Sequence, residues 1–421
     1  MRIAIVGSGI SALVAAYHLQ PRHDVVVFEK DDRVGGHSHT IGVDDDGREL
    51  GVDTGFIVYN ERTYPVFTRL LGELGVATQT SEMSFGVQCR RCRLEYSGSG
   101  LAGLFAQKSR FFRAGHYRFL LDILRFNRDG LRVLEEPRLG ERPVLGYLQE
   151  RGYSNAFIHH YVVPMGAAIW SCGTGKFGEF PLLHFLRFFR NHGLLTVADQ
   201  PVWRTVRGGS REYVRALTQG FADRIRTSTP ARAIRRRPDG VELVVEGGER
   251  ALFDRVVIGT HADQALALLA DATDEERRGL ECMPYQTNEA ILHTDERVLP
   301  KHRAAWASWN VQLDDCARID APLAMTYSMN RLQRLEAKRH YLVTLNDDSE
   351  IAPDRIIRRI AYEHPVYTMA TLAGQARLRE LNGERGTYFC GAYLGYGFHE
   401  DGARSGLEVA LAIDGEERKA A

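Results

Sequence analysis

The sequence predicts an α/β fold in which a parallel-stranded domain is interleaved with a second domain of α+β character. Three observations predict it. The chain opens as strand, tight turn, helix and strand, with Gly7 and Gly9 in the turn. Glu29 closes the second strand, 20 residues after Gly9. The final block, Thr387 to Ile413, again reads strand, glycine-rich loop and helix.

Each element follows from its residues. Arg2 to Val6 is a short apolar strand, Ile10 to Leu19 carries apolar residues at helical spacing, and Val25 to Phe28 is a second buried strand. Glu82 to Tyr96 reads as strands joined by turns. Leu101 to His192 is helical and rich in aromatics and arginine. Past Gly208-Gly209 the α/β pattern returns, with a meander over Ile225 to Val245 that turns at Pro238-Asp239-Gly240. Arg255 to Ile258 is a buried strand followed by a helix through Leu269, and Glu289 to Leu345 alternates short strand-like pieces. These blocks assign residues 1–57, 203–280 and 376–421 to the first domain, and 58–202 and 281–375 to the second.

Composition excludes several classes of function. The 421 residues are 44% apolar and 26% charged, as in ordinary globular domains. Lys plus Arg and Asp plus Glu balance at 54 each, which argues against a nucleic-acid binder. Six cysteines do not make a disulfide framework. No apolar run reaches the roughly 18 residues of a membrane-spanning helix. The opening residues lack a signal-peptide pattern. A cytoplasmic chain with free thiols is expected.

The first turn carries recognisable chemistry. Gly7-Ser8-Gly9-Ile10-Ser11-Ala12 fits G-x-G-x-x-G/A, in which the glycines permit a tight turn and close approach to a pyrophosphate. The following helix aims free N–H groups and its positive end at the phosphates. Glu29 stands where a carboxylate bonds ribose hydroxyls. Directly after it come Lys30, Arg33, Gly35, Gly36 and His37. A site for NAD alone does not require this second glycine pair.

In these residues the chain resembles the flavin amine oxidase, phytoene desaturase and protoporphyrinogen oxidase superfamily, which carries E-x-x-x-R-x-G-G-R after its second strand. The match holds at Glu29, Arg33, Gly35 and Gly36 and departs at His37, where the family has arginine. The resemblance implies an amine oxidase-like fold, a Rossmann-type FAD-binding domain interleaved with an α+β substrate domain, and FAD as cofactor. It implies that Gly7 to Ala12, Glu29, Lys30, Arg33, Gly35, Gly36 and His37 surround the dinucleotide, with Ser8, Gly9, Ile10 and Ser11 in its turn. It places Thr54, Gly55 and Phe56 beside the flavin ring, Ala231 and Arg232 at the adenine, and Thr260 after the return strand. Gly391, Ala392, Asp401, Gly402 and Ser405 form the C-terminal motif, where a helix N-terminus faces the flavin O2 edge.

Four further segments are distinctive: Met283 to Asp295, Ala305 to Asn310, Met329 to Gln333 and Gly395 to Gly402. They resemble a bacterial flavoprotein subfamily encoded beside cyclopropane-fatty-acid-synthase-like methyltransferases. Members of that subfamily desaturate methyl-branched fatty acyl chains during furan fatty acid synthesis. The resemblance implies a lipid acyl substrate, carried on phospholipid, which loses a hydride to flavin N5 and a proton to a base. Dioxygen or a quinone would reoxidise the flavin. Two alternatives stand beside this reading: oxidation of an amine or polyene, and a flavin-retaining scaffold for a partner methyltransferase.

His399 and Glu400, in the loop before the last helix, are the candidate base; the plainer reading is that Glu400 and Asp401 cap that helix. Tyr59 and Asn60 are candidates to line the substrate cavity, or else ordinary packing. Lys176 and Lys301 lie in interior-looking regions but fit no amine-oxidase pattern. Arg110 to Leu131 sets Phe112, Phe119, Leu120, Ile123 and Leu124 on one helical face between arginines, opposed by Asp122 and Asp129. His184 to Arg190 is similar in composition. Either suits peripheral contact with an anionic membrane at the inner face of the cell membrane, or packs in the helical core. Cys89-Arg90-Arg91-Cys92 reads as free thiols in a hairpin turn, with zinc binding or redox use as the alternatives, because structural zinc needs four ligands and no second pair follows at finger spacing. Cys172, Cys282, Cys316 and Cys390 read as small buried residues.

Overall fold

A computed structural model describes residues 1–196, 200–316 and 324–420. Its five-stranded parallel sheet runs in the order Ile225–Arg226, Asp24–Phe28, Arg2–Val6, Arg255–Ile258 and Thr387–Phe389. Beginning, middle and end of the chain each contribute strands. Ile3, Ile5, Val25, Val27, Val256 and Val257 are fully covered, which is why these strands read as unbroken apolar runs.

The helix Ile10–Leu19 is buried along almost its whole length. It lies against the C-terminal helix His399–Ala420, and the contact is close enough that a Cβ on Gly406 would overlap the Ser11 carbonyl and one on Gly402 would overlap Ile10. The crossing therefore sets the first turns of the two helices side by side. A meander of Ala231–Arg237, Gly240–Val245 and Arg250–Phe253 is joined to this half of the molecule through Arg255–Ile258, the strand that follows it.

The second sheet has seven strands, in the order Ile356–Pro365, Tyr285–His293, Leu342–Leu345, Ala324–Ser328, Trp309–Leu313, Phe85–Cys89 and Leu94–Ser97. Its pairings are antiparallel except for Trp309–Leu313 with Phe85–Cys89. The helical region between Gly100 and Asn191 packs around Phe126, Phe157, Phe177, Phe180, Phe185 and Phe189, all nearly or fully buried. Removing each phenyl ring from water contributes roughly 2–3 kcal/mol.

Two sequence expectations change here. Helix Ala114–Glu135 begins after a short 3-10 turn at Lys108–Phe112, so Phe112 is off the helix. The inward face is His116, Phe119, Asp122, Phe126, Asp129 and Val133. Leu124, expected beside Phe119, is exposed, and Asp122 and Asp129 are buried. Asp122 accepts from Ser154 N (3.0 Å) and Asp129 from the Tyr153 hydroxyl (2.9 Å). In helix Leu182–Asn191, by contrast, Leu182, His184, Phe185, Leu186, Phe188 and Phe189 are all buried, so its aromatic face is core.

Candidate functional site

Gly7 ends the first strand with φ of 98°, a conformation that favours glycine, and its N–H donates to Phe28 O (2.8 Å). Gly9 is the N-cap of helix Ile10–Leu19, and a Cβ there would meet open space, so the helix N-terminus faces room for a phosphate. Gly36 closes against this turn, 3.1 Å from its own would-be Cβ to Gly9 Cα. Thr260 follows Gly259, whose carbonyl lies against Gly7, and Ala12 packs on Gly259. The two glycine turns, Thr260 and the small Ala12 thus converge.

Glu29 is held rigidly. Ser8 Oγ donates to one carboxylate oxygen (2.5 Å) and Asp31 N to the other (2.9 Å). Thr229 N donates to Glu29 O and Ser228 N to Asp31 O, both at 2.8 Å, which anchors the segment entering Ala231–Arg237 beside it. Ala231 begins that strand, while the Arg232 guanidinium points outward to Glu246. Lys30 is exposed.

Whether FAD fits can be tested on buried donors. Arg33 Nη2 donates to Gly36 O (2.8 Å), yet its Nη1 is buried without a partner among the described residues. His37 Nε2 is likewise buried and unpartnered. Two orphaned nitrogens beside a glycine cradle and a helix N-terminus fit an anionic pyrophosphate, since an unsatisfied buried donor is costly. Burial, then the neighbouring His364 and His261, hold the His37 imidazole well below its usual pKa. It is therefore a neutral hydrogen-bonding group where the family's arginine would carry charge.

In the segment expected beside the ring, Thr54 N donates to His39 O (2.9 Å) and Phe56 N to His37 O (2.8 Å). Gly55 packs on that same His37 carbonyl. The Thr54 hydroxyl meets the Tyr362 hydroxyl at 2.8 Å. Phe56 stacks on His399 with centroids 3.7 Å apart. Gly391 N donates to Ser405 Oγ (3.0 Å), and Ser405 Oγ to Gly402 O (2.9 Å), which fixes the strand exit at Gly391-Ala392 to the final helix.

The candidate base residues are both engaged. His399 Nε2 lies 2.8 Å from the Tyr213 hydroxyl, and burial brings its pKa down to about 3. Such an imidazole binds no proton at neutral pH and is a weak base. Both Glu400 oxygens accept backbone N–H groups, from Val66 (3.1 Å) and Phe67 (3.0 Å), at the start of helix Pro65–Glu73. Asp401 accepts from Tyr396 N and Phe398 N, both at 3.0 Å, and from Arg404 (2.7 Å). Glu400 therefore caps a neighbouring helix rather than its own, while Asp401 ties the loop at Tyr396 and Phe398 to the first turn of the final helix.

Tyr59 is buried against Phe67 and Tyr64. Asn60 Oδ1 accepts from Thr63 N (2.9 Å), while its buried Nδ2 has no partner. Lys176 and Lys301 are exposed rather than interior, and Lys176 bonds Gln286 (3.3 Å) at a polar cleft of about 740 Å³. Sequence reasoning missed Tyr213, Tyr362, His261 and His364, which arrive from distant elements. Tyr362 and His364 alternate along one strand, a signal that both face one side. It also missed an aromatic wall. Trp170 Nε1 donates to Tyr396 O (3.0 Å), His184 and Tyr396 lie 4.2 Å apart, and Phe188 stacks on Phe398 at 4.7 Å. Tyr396 and Phe398 remain half-buried.

Comparison with known proteins agrees with this geometry. The family model for flavin containing amine oxidoreductases matches residues 10–414. A tryptophan 2-monooxygenase from Pseudomonas savastanoi is 26% identical over 316 residues, 65% of this chain and 55% of that protein. The chain thus spans about half the length of that curated relative. Among solved structures, cyclohexylamine oxidase from Brevibacterium oxydans IH-35A superposes with a TM-score of 0.69 at 16% identity, covering 99% of both chains. Putrescine oxidase bound to putrescine gives 0.67 at 14%, covering 98% of this chain and 99% of that one. A CLA-producing fatty acid isomerase from P. acnes gives 0.66 at 14%, covering 98% of both. At these identities the structures show a shared fold.

Proposed function

We propose a substrate for this chain on one premise: it belongs to the flavin containing amine oxidoreductase family and is an FAD-dependent oxidoreductase. The substrate is a methyl-branched, unsaturated fatty acyl chain on phospholipid, and the reaction is desaturation.

The observation that carries this reading is a surface. Leu101, Phe111, Phe112, Tyr117, Leu121 and Leu124 are all exposed, Phe112 at 91%. Arg113, Arg118 and Arg128 are exposed around them, and Asp122 and Asp129 have turned inward. An apolar patch ringed by arginine and cleared of outward acids suits peripheral docking on anionic lipid. Two further facts support a lipid over an amine. The five lysines with described side chains, Lys30, Lys108, Lys176, Lys301 and Lys338, are all exposed. The aromatic wall of Trp170, Phe188, Tyr396 and Phe398 suits an acyl chain, and one structure of the same fold is named as a fatty acid isomerase.

FAD, when bound, supplies a two-electron acceptor for a substrate hydride. Gly9, Gly36, Arg33 and the N-terminus of helix Ile10–Leu19 would hold its phosphates, and Glu29 its ribose. The helix His399–Ala420 would present its positive end to the ring. His399 and Glu400 act as positioning residues, one wedged between Phe56 and Tyr213, the other fixing helix Pro65–Glu73 to the final helix. The aromatic wall of Trp170, Phe188, Tyr396 and Phe398 would exclude water around the reacting bond.

The test is incubation of the purified holoprotein in air with vesicles containing such a phospholipid. Loss of two hydrogens from the branched acyl chain, seen by mass spectrometry and absent with unbranched lipid, is the expected result. Turnover of amines with no change in lipid would replace this reading with amine oxidation. A flavin inert to both would point to a scaffold for a methyltransferase.

A further inference from the structure

We propose that Cys89, Cys92, His160 and Cys316 form a structural zinc site, separate from the flavin chemistry. The four ligand atoms lie within 4.8 Å of one another, with Cys92 Sγ and His160 Nε2 3.3 Å apart. A tetrahedral zinc with Zn–S of about 2.3 Å sets its sulfurs about 3.8 Å apart, so this cluster closes on the ion with only small movements. In the sequence the C-x-x-C pair has no neighbouring partners, which favours free thiols over zinc. The fold supplies two, one from the helical region and one from the loop after strand Trp309–Leu313.

The surroundings hold the ligands in place. The turn between Cys89 and Cys92 is tied to the Cys316 loop by its backbone: Arg90 N donates to Leu313 O (2.8 Å) and Arg91 N to Asp314 O (3.1 Å). The side chains of the same arginines reach carboxylates instead of sulfur. Arg90 pairs with Asp314 and Glu350, both at 2.9 Å, and Arg91 holds both oxygens of Asp315. Arg93, just past Cys92, has φ of 51°, a left-handed turn that a non-glycine residue adopts at some cost. His160 sits in a single wide turn, Ile158–Val162, and Tyr96 donates to its carbonyl (2.7 Å). Wide turns of this kind are often found at functional sites.

Three sulfurs and one imidazole, all from the protein, leave no open coordination position, which marks a structural site over a catalytic one. Binding forms three Zn–S bonds and one Zn–N bond and releases the three thiol protons to solvent. The ion would clip the hairpin Phe85–Ser97 at the sheet edge to the helical region and to the end of Trp309–Leu313.

The experiment is elemental analysis of the full-length, FAD-loaded protein, purified under reducing conditions with added Zn²⁺ and then desalted. One zinc per chain is expected. Cys92→Ser and Cys316→Ser should each lower zinc occupancy at least tenfold while keeping the flavin, and Cys282→Ser should keep the zinc. Should the variants fail to fold, wild-type protein titrated with a mercurial should release its zinc as these thiols react. Cobalt exchanged for zinc should give thiolate–cobalt absorption to the red of the flavin bands. Wild-type protein without zinc, zinc content unchanged in both variants, or a Cys89–Cys92 disulfide in place of bound metal would overturn the site.

Discussion

Arg33 Nη1 and His37 Nε2 are buried nitrogens with no partner among the described residues, and they border the glycine cradle. Hydrogen bonds to charged groups contribute about 1.5–3 kcal/mol each. Arg33→Ala should therefore weaken FAD binding by roughly 10- to 100-fold, read by titrating apoprotein with FAD. Unchanged affinity would remove Arg33 from the site. At Glu400 the two readings of one residue separate cleanly. As a cap for helix Pro65–Glu73, Glu400→Gln should lower unfolding stability by about 1 kcal/mol and leave the rate of flavin reduction within tenfold. A rate falling by about a thousandfold would restore Glu400 as the base. The convergence of Glu29, Arg33 and the glycines was legible in the sequence because it depends on local spacing. Glu400 was not, because the N–H groups it accepts belong to Val66 and Phe67, more than 300 residues earlier.

Helix Ala114–Glu135 shows what periodicity can and cannot reveal. Its amphipathic character was evident, but the inward face is fixed by Phe119, Phe126 and Val133, and two aspartates were drawn inside by Ser154 and Tyr153. The apolar residues left outside carry the docking proposal. Phe112→Ser combined with Leu121→Ser should reduce co-sedimentation with anionic vesicles about tenfold or more, because each exposed side chain offers roughly 1–2 kcal/mol of burial. Equal binding by variant and wild type would exclude this face. The crossing of Ile10–Leu19 with His399–Ala420 is equally specific. Gly406→Ala pushes a methyl group into the Ser11 carbonyl and should cost about 1–3 kcal/mol, seen as a lower Tm with partial loss of FAD.

Across the whole molecule, the interleaving of two sheets was legible from the order of strand and helix signals, since Arg2–Val6, Asp24–Phe28 and Arg255–Ile258 are largely apolar runs with flanking turns, whereas the two-residue edge strand Ile225–Arg226 read as part of the meander. The histidine and cysteine clusters were not, because their members meet only when strands and helices distant in sequence pack together. The buried histidines also set the response to pH. Burial holds His184, His192, His293 and His364 at about 4 and His399 at about 3, against an ordinary 6.5. The unfolded chain therefore binds more protons below about pH 6.5, and folded stability falls as pH drops from there toward 4. Asp53, raised to about 6 by burial, acts in the opposite sense over pH 6 to 4, as do the raised Glu400 and Asp401. The histidines outnumber these carboxylates, so Tm of the holoprotein should decline between pH 7 and 5; a rise would contradict it. Asp53→Asn should make that decline steeper.

The central claim concerns what reduces the flavin, and the most direct measurement is the visible spectrum of the purified holoprotein under anaerobic conditions. Adding vesicles of methyl-branched, unsaturated phospholipid should bleach the oxidised flavin band, while unbranched lipid and amines should leave it intact. Bleaching by amines, with the band untouched by that lipid, would contradict the account.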